Sequence, residues 1–189
     1  MDDRELLVQA ANHLSRGKHA DAFSIYDQLS AKGYPTCQIY AGWMLFEGVG
    51  VGVDQTKAMK YFKAAAEQGE AAGMFYVGKA LAINGRHEEA FSWYQRAAQQ
   101  YYSPALFRVG VSYLHGIGVA PNKVLGYSCL EEAAGAGHVL ARGQLAKGYL
   151  SGDRGLRMVP KGVRLLIQTA IDAWRFAGRR NEFVVELLG

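Results

Sequence analysis

Apolar and polar positions along the chain follow the three-and-four spacing of helices rather than the strict alternation of a half-buried strand. The stretch "GWMLFEGVGVGVDQTKAMKYFKAAAEQG", Gly42–Gly69, shows the unit of the pattern. Trp43, Met44, Leu45 and Phe46 read as the end of one helix, and the segment after Asp54 reads as a second, amphipathic one. Between them stand three alternating glycines, Gly48, Gly50 and Gly52.

The same arrangement returns 68 residues later, where "VGVSYLHGIGV" at Val109–Val119 matches "AGWMLFEGVGV" at Ala41–Val51. In the first helix of each unit a small residue follows an apolar one, at Ala41-Gly42, Val77-Gly78, Val109-Gly110 and Leu145-Ala146, with steps of 36, 32 and 36 residues. A second small anchor lies in the following helix at Ala58, Ala90, Gly126 and Gly162. Eleven residues beyond each comes a helix-ending position: Gly69, Tyr101, Gly137 and Ala173. Ala22 and Gly33 repeat that interval near the N-terminus, so five units are visible.

Small anchors let two antiparallel helices approach, while Tyr61, Phe62, Trp93, Tyr94 and Tyr127 fill the space between units. A unit of this kind cannot bury its apolar face alone, and stacking neighbours supplies a continuous core. The spacing predicts an all-α array of about five helix-turn-helix repeats, over 4–34, 35–70, 71–102, 103–138 and 139–174, with a capping helix over 175–189.

A glycine loop opening a helix can also hold a phosphate. The dinucleotide pattern, however, needs G-x-G-x-x-G directly after a strand, and the other common loop ends in G-K-S or G-K-T. Neither is present. The loop instead predicts a turn, in which glycine ends the first helix in a left-handed conformation and Asp54 or Asn122 caps the second.

The pattern A-x-x-x-[LV]-G-x-x-Y-x-x-G-x-G-V, followed by K-A-x-x-W-Y-x-K-A-A-x-x-G, resembles the Sel-like repeat family, a branch of the tetratricopeptide superfamily. "ALFRVGVSYLHGIGV" fits the first half and "KAMKYFKAAAEQG" the second, with Tyr61-Phe62 in place of Trp-Tyr. Units one and three, with short connections, look more like plain tetratricopeptide repeats. Unit five departs further, with "SGDRGLRMVPKG" where the glycine-valine turn would be. The resemblance implies a right-handed α/α solenoid whose first helices line a concave, partner-binding surface. Carried over unit by unit, the inward positions are Ile39, Trp43, Phe46 and Glu47; Phe75, Lys79 and Ile83; Phe107, Val111, Leu114 and His115; and Lys147 and Leu150. Groove and core fall on adjacent helical positions, so some of these residues belong to the space between helices.

Candidate chemistry changes this picture little. The histidines show no H-x-x-x-H or H-E-x-x-H spacing, and the adjacent pairs Glu88-Glu89 and Glu131-Glu132 diverge on a helix. Cys37 and Cys129 match no C-x-x-C pattern and predict free thiols on different units in a reducing compartment. The expectation is therefore no catalytic residue, no metal and no cofactor.

Composition fits a folded chain, with 50% hydrophobic and 20% charged residues, and no apolar run long enough to span a membrane. "MDDRELLVQ" lacks the basic and apolar regions of a secretory signal, which points to a cytoplasmic location.

Charge is uneven. Residues 139–189 carry nine Lys or Arg against four acids, including a basic patch at Arg175, Arg179 and Arg180, whereas the remainder has 12 basic and 13 acidic residues. The basic end lacks the aromatic and glycine pattern of an RNA-binding sheet, so no nucleic acid is expected.

The function read from the sequence is a non-catalytic scaffold or adaptor that binds a partner protein or peptide on its concave face. One alternative is a membrane-peripheral scaffold that uses the basic end. Another is a hydrolase of cell-wall or β-lactam-like substrates, an activity proposed for some relatives, which would require a convergent polar groove.

Overall fold

The computed structural model describes residues 2–153 and 155–177. The described residues are helical throughout, joined by turns, with no β-strand. They form two compact units, one up to Arg86 and one from His87 onward. The first holds α1 (Asp3–Ser15), α2 (His19–Ala31), α3 (Pro35–Glu47), α4 (Gln55–Glu67) and α5 (Ala71–Ile83). The second holds α6 (His87–Ala98), α7 (Ser103–His115), α8 (Lys123–Gly135), α9 (Val139–Leu150), a 3-10 turn (Leu156–Met158) and α10 (Val159–Ala177). Within each unit every helix packs on its neighbour in sequence.

Isolated helices of this length are marginal in water, so burial must hold them. In the first unit Tyr26, Leu29, Cys37, Ala41 and Met44 form a closed core, against which Phe23, Trp43 and Tyr61 pack from its edge. In the second, Tyr127, Leu130, Ala141, Leu145 and Tyr149 do the same, with Phe107, Val111, Leu114 and Leu165 at its edge. Each large side chain so buried contributes about 1.5–3 kcal/mol relative to exposure.

The small anchors do what the spacing predicts. A Cβ on Gly110 would lie 2.9 Å from the Gly126 carbonyl oxygen, and one on Gly126 would lie 3.0 Å from that of Gly110, so α7 and α8 cross backbone to backbone.

The glycine loops are turns. Gly48 and Gly116 end α3 and α7 in the left-handed conformation, at φ of 73° and 70°. The Asp54 carboxylate then accepts from the Lys57 amide at 2.8 Å, and the Asn122 side chain from the Leu125 amide at 3.1 Å, capping α4 and α8. The next glycine of the first loop seats the turn: a Cβ on Gly50 would come within 2.5 Å of the His19 backbone at the start of α2.

The second helices end where expected in four of the five units, with Gly33, Gly69, Tyr101 and Gly137 all at positive φ. Tyr101 is the non-glycine among them, at φ 58°. The fifth expectation fails. α10 runs through Ala173 to Ala177: alanine at the expected end is the best helix former and has no preference for the left-handed region. The expected capping helix over 175–189 lies mostly outside the described residues, as do Arg179 and Arg180.

Candidate partner-binding face

The first helices of consecutive hairpins, α3 and α5 in one unit and α7 and α9 in the other, carry the residues expected to meet a partner. They are not equally available. Phe46 is 8% exposed and packs edge-on against Phe62 at 6.0 Å between ring centres, so it belongs to the core. Ile39 and Phe75 are half-buried, and the Phe75 ring meets Tyr76 at 5.4 Å. Trp43 rests against the first core and Val111 against the second. Phe107 stacks on His138 at 4.8 Å.

Lys79 is held within its own unit. Its Nζ lies 2.6 Å from Glu47 Oε1, 5.3 Å from the centre of the Phe46 ring and 5.8 Å from that of Tyr76. Cation, carboxylate and two aromatic faces thus satisfy one another across α3 and α5.

In the other unit Leu114, His115 and Lys147 come together in an open cleft of about 400 Å³ between α7, α8 and α9. Its remaining walls are Lys123, Tyr127, Gln144, Gly148, Ser151 and Asp153. Asp153 is committed: Lys123 Nζ lies 2.9 Å from its Oδ1, and the Tyr127 hydroxyl donates to its Oδ2 at 3.2 Å. The Lys123 hydrogen bond, and then that of Tyr127, holds the Asp153 carboxyl below the ordinary carboxylate range. The Ser151 hydroxyl donates to the Gly148 carbonyl at 3.0 Å. His115 and Lys147 are exposed at the mouth.

Lys123, Tyr127, Gln144, Ser151 and Asp153 were not among the expected site residues. Tyr127 reads from sequence only as apolar bulk, and Asp153 sits in the connection where unit five departs from the repeat. The legible signal was Lys79 and Lys147, 68 residues apart at one register position.

At the basic end, α10 presents Val163, Leu166, Ile167, Ile171 and Trp174 exposed, with Trp174 at 79%, beside the exposed Lys161 and Arg164. Arg175 lies in α10, and its side chain is outside the described residues. Among the described residues no helix is long and apolar enough to cross a membrane. Nor does any group of His, Cys, Asp or Glu among them stand ready to hold a metal ion.

Stacked helix hairpins closed by glycine turns, with a cleft on their first helices, define an α/α repeat protein. The chain belongs to the Sel1 repeat family, whose model matches residues 35–70, 72–102 and 103–138. A protective antigen of uropathogenic Escherichia coli strains, displaying an SLR fold, is similar at 28% identity and a TM-score of 0.75 over 90% of this chain. The chain spans only 38% of that antigen's length. A Sel1 repeat protein from Oxalobacter formigenes is similar at 23% identity and a TM-score of 0.75, over 88% of this chain and 68% of the other. A MamA protein, at 14% identity and a TM-score of 0.54 over 93% of this chain and 94% of its own, shares the fold. Sel1 repeat proteins generally mediate protein–protein interactions, and their fold is typically a non-catalytic scaffold.

Proposed function

We propose that this chain is a non-catalytic adaptor that binds a segment of a partner protein along its first helices. The observation that carries the reading is the gathering of Leu114, His115 and Lys147, from two first helices, into one open cleft. Its chemistry is that of recognition. Asp153 and Ser151 already spend their polar groups within the chain, while apolar and cationic groups line the opening. Short peptides selected from a displayed random library should bind the wild-type chain. Gln144→Trp, which fills the cleft, should weaken that binding tenfold or more, a loss of roughly 1.4 kcal/mol. Lys60→Glu, on the exposed side of α4, should leave it unchanged. Wild-type affinity in the Gln144→Trp protein would contradict the reading.

A membrane-peripheral role is the second reading, favoured by the exposed apolar stripe of α10 beside Lys161 and Arg164. An amphipathic helix with basic flanks lies on anionic lipid through both terms. Co-sedimentation with vesicles of phosphatidylserine and phosphatidylcholine should then depend on Trp174 and on salt. Equal sedimentation of wild type and Trp174→Ser would remove this reading.

A further inference from the structure

Lys79 and Lys147 occupy the same register position in two copies of the repeat, but their surroundings differ at each partner position. Where Lys79 has Glu47, Phe46 and Tyr76, the positions 68 residues later hold His115, Leu114 and Gln144. The carboxylate and both aromatic faces are gone. Lys147 forms no ion pair and no ring contact among the described residues, and Leu114, His115, Gln144 and Lys147 all line the cleft. Among the described residues of its walls the only acid, Asp153, is taken by Lys123 and Tyr127.

We propose that this cleft takes an acidic side chain, aspartate or glutamate, from a partner peptide, with its carboxylate beside Lys147 in the place that Glu47 holds beside Lys79. The proposal rests on the adaptor reading and sharpens it. One copy of the repeat satisfies its lysine from within; the other leaves the lysine for a ligand. An ammonium donates three hydrogen bonds, the His115 ring supplies a further donor, and both answer a carboxylate. Leu114 gives the stem of the acidic side chain an apolar wall.

The test is parallel selection of a displayed library of short random peptides on wild type, Lys147→Glu and His115→Glu. Lys147 and His115 are both exposed, so neither change disturbs the core. Wild type should enrich peptides with Asp or Glu at one fixed position. Lys147→Glu should lose them roughly tenfold in affinity and prefer Lys or Arg there. His115→Glu should supply the carboxylate from within, as Glu47 does, and lose the acidic preference while folding normally. Enrichment of one consensus by all three, with no acidic position, overturns the proposal and leaves the adaptor reading standing. No enrichment by any of them over bare support overturns both.

Discussion

The ring of Phe62 leaves no room for a side chain at Gly42: a Cβ there would stand 2.7 Å from Cε1 and 2.9 Å from Cδ1. Phe62 is fully buried and stacked on Tyr76 at 4.8 Å, so it cannot turn away. Gly42→Ala gains about 1 kcal/mol of helix propensity, but overpacking a core costs about 1–3 kcal/mol. Gly143 is the opposite case, a helical glycine of α9 with no positive φ and nothing within 4 Å of where a Cβ would stand. Thermal unfolding should show Gly42→Ala melting below wild type and Gly143→Ala above it. Equal shifts in the two would mean that packing at the anchor does not set the repeat.

His138 begins α9, its Nδ1 accepting from the Ala141 amide at 3.2 Å. Only a neutral ring nitrogen can accept. Burial, and then the charge of Arg108, lowers the folded-state pKa of His138 from its ordinary 6.5. The unfolded chain therefore takes up the proton first as pH falls. The contribution of His138 to stability is present above about pH 6.5 and is lost as pH drops toward the lowered folded value. Denaturant titrations from pH 7.5 to 5 should show a smaller loss in His138→Asn, which keeps a cap without a titrating ring. An unchanged pH slope in that variant would deny His138 the role.

Cys37 is fully buried, and that burial pushes its thiol up to about 11. Cys129 is partly exposed, and its thiol is also raised, by burial and then by Glu132. Both are free thiols. Because the thiolate is the reacting species, alkylation of the native chain at neutral pH should spare Cys37 and reach Cys129 first, whereas unfolding should expose both equally. Early modification of Cys37 would show that α3 opens far more readily than its packing allows.

The repeat register was legible because it rests on residues whose size alone matters: Gly42, Gly110 and Gly126 mark close approaches in any sequence. The turns were legible for the same local reason, since Gly48, Gly116, Asp54 and Asn122 act within a few residues of themselves. The face was less so. Phe46 and Trp43 lie three positions apart on one helix, yet one is enclosed and the other sits at the core's edge. The cleft's far wall was not legible at all, because Lys123 and Asp153 are 30 residues apart and meet only once α8 and α9 have packed. The end of α10 escaped the pattern for want of a breaker. The interval of eleven residues held at Gly33, Gly69, Tyr101 and Gly137 and failed at Ala173, where the helix continues.

The central claim is that a partner segment lies on α7 and α9 with an acidic group beside Lys147. Amide NMR spectra of the chain, alone and saturated with an acidic peptide selected on it, test this most directly. The largest shift changes should fall on Leu114, His115, Gln144 and Lys147. Changes confined to the exposed stripe of α10, around Val163 and Trp174, or to α6 around Trp93 and Arg96, would contradict it.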